Sequence, residues 1–403
     1  MRYIECAAQI TVIVSDRHFP NRSMRLRLTE LEERMKKPSK APRRGIAILC
    51  LLLSAVTTLS LTACNTTFDA ENSAAEDAAP VVQQESETTA VSTDPLQFDT
   101  PNIPDDGTSQ GYISTVDPGV YIYKGMTLEL SGASDSAAQD YASAISEFKS
   151  ACPDVTVYNM VVPVHTEFAL PQRIIDSGVN STSQLQNIKT IYTSYTADVK
   201  PINCYNTLNR HSGEYIYFNT DHHWTGLGAY YAYQAFCEQT DQTALDVDVC
   251  TEHKIEGFEG SFFDTGSDLT PDTVSYWTLP YETRAACAVE SGDEPYNADI
   301  FIEGLEGANA YITFIGGDSA LFIEYNDNLN SGKKIAVVKE SYGNAFVPWL
   351  TNNYDEVHVI DSRHFTGSVK DYLSENGITE ILFMNNIMSA NNPFMVDGIR
   401  EIF

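Results

Sequence analysis

The chain has 403 residues, with 55 acidic against 25 basic side chains and a formal charge of −30 at pH 7. Residues 1–64 hold 11 Lys and Arg and 5 Asp and Glu, so the remainder carries 14 basic and 50 acidic residues, formally −36. A surface that acidic repels nucleic acid and anionic polymers, which excludes nucleic-acid binding, and it tolerates neutral or amino-sugar glycans better.

In chain order, residues 1–34 read as an extension from a misassigned start, because Met35 opens a better one. Met35 to Gly45 contains Lys36, Lys37, Lys40, Arg43 and Arg44 and no acid, and Ile46 to Leu61 is an apolar run of sixteen residues without a charge. A basic head, an apolar core too short for a span of about 20 residues, and small residues at the exit make a secretory signal peptide over 35–64. Its ending, Leu61-Thr62-Ala63-Cys64, resembles a bacterial lipobox, which makes Cys64 the acylated first residue of a mature lipoprotein. An uncleaved anchor helix is the rival reading. Both place the rest of the chain outside the cytoplasm and tethered to a membrane, and a lipid anchor needs more than one acyl chain to hold. Residues 65–108, rich in Ala, Thr, Ser, Pro and acids and nearly free of aromatics, read as a disordered tether.

The folded part, 109–403, opens with a hairpin-like stretch over 119–132. An amphipathic helix follows at 135–151, then a buried strand at 155–164 and polar helical sequence over 172–199. Glu214–Asn219 reads as a strand running into Thr220-Asp221-His222-His223-Trp224-Thr225, with Thr225 capping a helix over 226–238. Residues 240–310 loosen into Gly- and Thr-rich pieces, read as a small β-rich insertion. Three strand–loop–helix units then follow: 335–338 into Lys339-Glu340-Ser341-Tyr342, 357–360 into Asp361-Ser362-Arg363, and 381–384 into Asn385-Asn386. The fold class is therefore α/β, a parallel sheet flanked by helices, with ligand-site residues just beyond the strand ends. Cys152, Cys204, Cys237, Cys250 and Cys287 form no CxxC pair; export permits disulfides, and an odd count leaves at least one thiol unpaired within the chain.

Ser341 sits where a strand gives way to a helix N-terminus, whose unpaired N–H groups can hold an oxyanion. By itself such a serine reads first as a helix cap. A histidine braced by a carboxylate can serve as general base, and the Asp-x-His spacing pairs Asp221 with His223; a loop metal site is the competing reading. Gly317-Asp318-Ser319 spells a nucleophile-like Gly-Asp-Ser, but the strand-like runs on either side of it (310–317 and 320–325) make it a turn.

Thr220-Asp221-His222-His223-Trp224-Thr225 together with Lys339-Glu340-Ser341-Tyr342-Gly343-Asn344 resembles the bacterial DHHW family, itself similar to the alginate O-acetyltransferases with their SGNH-type domain. The resemblance covers roughly residues 115–403. It implies an SGNH-like, circularly permuted fold in which Asp221 orients His223, His223 activates Ser341, and Ser341 takes an acyl group. One departure is Glu340, where the family pattern has Asp. By the same resemblance Arg363 falls at the second oxyanion position and Asn385 or Asn386 at the third, where a plain turn residue is an equal reading. Tyr342, Trp224 and His222 complete the candidate substrate-binding set, with Trp224 either stacking on a sugar or packing beneath the loop.

These readings predict a serine-dependent O-acyltransferase or acyl esterase acting on cell-surface polysaccharide, with no cofactor and no metal. Transfer calls for an acyl donor, outside the cell a membrane partner, whereas hydrolysis needs only water. The rivals are a non-catalytic glycan-binding lipoprotein and a metal hydrolase built on His211, His222 and His223.

Overall fold

A computed structural model describes residues 94–403 apart from Asn102. The described residues all fall in one compact unit. The extension, the signal segment, Cys64 and residues 65–93 lie outside the described residues. No helix among those described is long and apolar enough to cross a membrane.

A small antiparallel sheet comes first, formed by β1 (Tyr112–Ile113), β2 (Val120–Tyr123) and β3 (Met126–Glu129). The main sheet has eight strands in the order β5-β4-β13-β11-β12-β10-β8-β9. Its parallel part is β5 (Val199–Pro201), β4 (Thr156–Val162), β13 (Glu380–Asn386), β11 (Lys334–Lys339) and β12 (Glu356–Asp361). Beyond β12 the sheet turns antiparallel through β10 (Leu321–Tyr325), β8 (Arg284–Ala288) and β9 (Tyr296–Ala298).

The β-branched runs of β11, β12 and β13 are buried along nearly their whole length, as strands covered on both faces must be. Five helices have eight or more residues among those described: α1 (Asp135–Ala151), α2 (Gln184–Thr193), α3 (Gly226–Gln239), α4 (Val369–Asn376) and α5 (Pro393–Glu401). Register shows that they cover both faces. Phe383 pairs with Asn159 and packs on Phe148 of α1, while the next residue, Tyr158, faces the other way onto Phe236 of α3. Local capping agrees with the sequence: Ser134 starts α1, and the Thr225 hydroxyl accepts from the Gly228 amide at the start of α3.

Four expectations are corrected. Residues 94–108 are docked rather than free. Phe98 packs edge-on against Tyr205, Asn203 and Asn206 bind the Gln97 carbonyl, and Arg173 pairs with Asp105; one aromatic anchor and two asparagine amides outweigh a tether-like composition. The region 240–310 is a sheet extension more than an insertion, because β8 and β9 hydrogen-bond into the main sheet. Only the hairpin of β6 (Thr251–Phe258) and β7 (Asp272–Thr278) stands apart. Glu214–Asn219 is no strand but a single bridge, Tyr217 to Trp224, because the Asn219 and Thr220 amides go to the Asp272 carboxylate. The strand-like run before Asp318 is a 3-10 helix at Gly307–Thr313, ended by positive φ at Ile315, Gly316 and Gly317.

Cys152, Cys204, Cys237, Cys250 and Cys287 are all free thiols. Burial pushes Cys204 and Cys237 up to about 12, so they behave as inert core residues.

Glu324, on β10, is fully buried and neither carboxylate oxygen has a hydrogen-bond partner. Burial alone drives its pKa far above the usual carboxyl range. A group whose pKa is raised on folding contributes stability that is complete below its unfolded pKa and is lost as pH rises towards the folded value, at up to about 1.4 kcal/mol per pH unit. Glu324→Gln, isosteric with the neutral acid, should therefore raise the urea midpoint at pH 8 and have little effect at pH 4, as read by denaturation series at the two pH values.

Candidate active site

The loop 219–224 precedes α3 and is held by Asp272, which accepts from Asn219 N (3.0 Å), Thr220 N (2.8 Å) and the Thr220 hydroxyl (2.6 Å). A strap at Gly260–Ser261 lies against it. A Cβ on Gly260 would stand 2.4 Å from the Thr220 carbonyl oxygen, so glycine is needed for the close approach. That approach brings the Ser261 amide within 2.7 Å of Asp221 Oδ2.

Asp221 is buried, and its Oδ1 accepts from the amide of His223 at 2.9 Å and from His223 Nδ1 at 2.6 Å. Burial pushes the Asp221 carboxyl up, but the His223 hydrogen bond and imidazole outweigh it and hold the group far below the usual carboxylate range. An ionised Asp221 only accepts, so Nδ1 carries the proton and Nε2 presents its lone pair. Ser341 Oγ lies 2.7 Å from that Nε2. The structure thus brings Asp221, His223 and Ser341 into one hydrogen-bonded line from two stretches 118 residues apart.

The serine's own element is a 3-10 turn at Ser341–Ala345, immediately beyond β11. Glu340 caps it. Its Oε2 accepts from Tyr342 N at 3.0 Å and lies 3.3 Å from Ser341 Oγ, whose one proton points to His223, while Oε1 accepts from Asn386 N at 2.9 Å and Asn386 Nδ2 at 3.1 Å. Burial pushes the Glu340 carboxyl up. The two loops are then pinned to each other twice. Trp224 Nε1 donates to the Tyr342 carbonyl at 2.9 Å, and the Tyr342 hydroxyl donates to the His222 carbonyl. Tyr311 stacks on the His223 ring at 4.0 Å and donates its hydroxyl to the Ser341 carbonyl at 3.1 Å.

The rest of the expected binding set is placed differently. Trp224 has no exposed surface, so it packs beneath the loop and cannot stack on a sugar. Tyr342 is equally buried, with its hydroxyl and amide both committed, and is an anchor rather than an oxyanion donor. Asn386 caps the turn after β13 by accepting from Met388 and Ser389 amides, and its own N–H groups serve Glu340. Asn385 accepts from the Tyr141 hydroxyl inside the core. Arg363 pairs with Asp361 and with Asp318 at 2.8 Å. Asp318 also receives Lys339 at 3.0 Å and Asn344 at 3.1 Å. The Gly-Asp-Ser turn thus supplies a charge partner for the strand ends, not a nucleophile. His222 is a third exposed at its side chain and bonds Ser261 Oγ at 2.8 Å.

His211 stands apart from these residues in its bonding, paired with Glu214 at 2.7 Å and stacked on Tyr231. Asp221, His222 and His223 place one ligand atom each within 4.8 Å of one another, as a metal would need. Asp221 and both ring nitrogens of His223 already have partners in the chain, so a metal there would compete with the line to Ser341. His165, whose ring lies parallel to Tyr217, is lowered to about 4 by burial, which keeps it neutral. Tyr311, Ser261 and Asp272 carry no local motif, and their parts emerge only from contact.

The family model for the DHHW protein matches residues 74–360. A DHHW family protein from Eubacterium siraeum is 31% identical, with a TM-score of 0.65 over 72% of this chain and 97% of that one. Bacillus cereus PatB1 is 19% identical, with a TM-score of 0.56 over 72% of this chain and 99% of its own, and 0.57 in its structure with a sulfonyl adduct. The likeness to PatB1 is one of fold, the same large, mostly parallel sheet flanked by helices in the SGNH-like manner. None of the curated proteins matches. With the Asp-His-His-Trp loop closed onto a serine turn, a family model covering most of the chain and a near-complete structural match, this chain belongs to the DHHW family.

Proposed function

We propose that the protein is a lipid-anchored, extracytoplasmic O-acyltransferase or acyl esterase acting on cell-surface polysaccharide, with Ser341 as nucleophile, His223 as general base and Asp221 as its orienting carboxylate. The reading rests on one observation, the unbroken hydrogen-bond line with steps of 2.7 and 2.6 Å. In the first half-reaction, Ser341 Oγ attacks the carbonyl carbon of an ester while His223 Nε2 takes the hydroxyl proton. The imidazolium so formed is stabilised by Asp221, and it returns the proton to the departing alkoxide as the acyl oxygen bond breaks. In the second, a sugar hydroxyl or water attacks the seryl ester and gives its proton to His223, which passes it to Ser341 Oγ as the bond between the acyl carbon and Oγ breaks, freeing the serine and a neutral His223.

Transfer and hydrolysis differ only in that second nucleophile. For transfer, the acyl group comes to the outer face of the membrane through a membrane partner. The acidic surface favours neutral or amino-sugar glycans over anionic ones. Anchoring is attributed to Cys64, through the signal segment before it.

A fluorophosphonate probe should label the parent at Ser341, read by peptide mass spectrometry, and Ser341→Ala should abolish labelling. An unlabelled parent that still binds carbohydrate would instead describe a glycan-binding module. A sulfonyl fluoride is a suitable second probe, since PatB1 carries a sulfonyl adduct. Asp221→Asn should slow labelling by roughly 10²–10⁴-fold, because an amide at Oδ no longer fixes the Nδ1–H tautomer. Cys64→Ser in the full chain should move the protein from the detergent phase to the aqueous phase in a partition assay; retention in detergent would mean that another element anchors it.

A further inference from the structure

Tyr311 belongs to neither loop motif. It stands on the 3-10 helix Gly307–Thr313, whose end is firmly held. Ile302 N donates to the Thr313 carbonyl and the Thr313 hydroxyl to the Ile302 carbonyl, both at 2.9 Å, and Ile315 N bonds the Ile300 carbonyl at 2.8 Å. The chain then turns through Ile315 at φ 52°, a value that a β-branched residue keeps only when its surroundings impose it. Three residues later Asp318 binds Lys339, the last residue of β11, at 3.0 Å. The segment 311–318 is thus fastened to the serine strand at one end and meets the reactive pair at the other.

The Tyr311 ring lies 4.0 Å from that of His223 and only 15° from parallel. Two other rings approach His223, but neither lies flat on it. His222 is at 3.9 Å and tilted 37°, and Tyr342 is at 5.3 Å and tilted 42°. When His223 takes the Ser341 proton it becomes a cation, pressed against the electron-rich face of a phenol. A tyrosine face within about 6 Å attracts a cation, most strongly where both are withdrawn from water, and both side chains here are buried. The same tyrosine donates its hydroxyl to the Ser341 carbonyl at 3.1 Å. Burial, with Asp221, Glu340 and Asp318 in its field, pushes the phenol well above its usual range, so it stays a neutral donor.

We propose that Tyr311 is a positioning residue of the acyl-transfer step, its ring face stabilising the His223 imidazolium and its hydroxyl keeping Ser341 within reach of that ring. The proposal rests on the reading of Ser341 as nucleophile and His223 as base. The other groups that bear on His223 are Asp221 on Nδ1, the tilted His222, and Glu340, whose Oε2 lies 3.3 Å from Ser341 Oγ. All of them are common to every Tyr311 variant, so differences between variants isolate the ring.

The rate at which a fluorophosphonate labels Ser341 in the full chain, followed against pH, reads both parts. Ser341 Oγ displaces fluoride from phosphorus while His223 takes the proton, so the rate falls on the acid side as His223 is protonated. Tyr311→Phe keeps the ring and loses the hydroxyl; its plateau should fall roughly three- to tenfold, with the acid limb close to the parent's. Tyr311→pentafluorophenylalanine, introduced by codon suppression, keeps the shape and reverses the charge pattern of the ring face. A less stable imidazolium is protonated only at lower pH, so this limb should lie about half a pH unit or more below that of Tyr311→Phe. Should the fluorinated variant fail to fold, Tyr311→Leu should show the same downward shift. Coincident limbs in the folded variants overturn the part assigned to the ring face, and an unchanged plateau in Tyr311→Phe overturns that of the hydroxyl. A labelled parent with coincident limbs sinks the ring's part alone, whereas a parent that is not labelled at Ser341 sinks the nucleophile first and this proposal with it.

Discussion

A hydrogen bond of 2.7 Å between residues 118 positions apart exists only if both backbones are held, and that constraint organises the rest of the molecule. A serine hydroxyl and an imidazole at the ends of two mobile loops would meet rarely, because ordering each residue costs about 1–2 kcal/mol of backbone entropy. Here the cost is offset within the fold itself. The loops exchange contacts in both directions, Trp224 to the Tyr342 carbonyl and Tyr342 to the His222 carbonyl, and each contact is made by a large buried aromatic whose burial is itself favourable. Tyr311 closes the arrangement from a third segment, touching both the histidine ring and the serine carbonyl. Pre-organisation of this kind is what a nucleophile–base pair requires.

The electrostatics are layered around this pair. Asp221 is ionised because three donors, the His223 imidazole among them, compensate its burial. At the ends of β11 and β12, Lys339 and Arg363 share Asp318 and Asp361. Two cations and two carboxylates there nearly cancel, which is how charges with so little water remain tolerable. The network ties the turn before β10 to the strands that carry the serine, so it acts on register more than on net stability. Glu340 works at the same place by a different means, joining the serine turn to the tip of β13 through Asn386. Glutamate in place of the expected aspartate has one more methylene, and here it reaches the Asn386 amide as well as the Tyr342 amide.

Much of the architecture was legible in the chain because it depends on local chemistry. The period of apolar residues located β4, β11, β12, β13 and α1 but not β5, which fell at the end of a stretch read as helical, and Thr225 marked the start of α3. The two motifs, Asp221-His222-His223-Trp224 and Glu340-Ser341-Tyr342, named the residues that meet. The failures share a cause. Glu214–Asn219 has strand composition, but its backbone bonds locally to Glu214 and to the 223–225 loop, and the Asn219 amide goes to the Asp272 side chain. Trp224, Tyr342 and Asn386 have the chemistry of binding residues, but burial turns them inward.

By itself, then, the sequence determined the α/β class, the strand–turn positions of the reactive side chains and the acidic character of the surface, since these follow from residue type and spacing alone. Only the tertiary structure decided which polar groups remain available. Asp318, read in isolation as part of a decoy motif, is committed to Arg363 and Lys339, while Tyr311, which no motif singled out, reaches both the His223 ring and the Ser341 carbonyl. The physical reason is that a hydrogen bond has one geometry and a side chain few of them to give. Availability is whatever remains after distant partners have been satisfied, and no stretch of neighbouring residues contains that information.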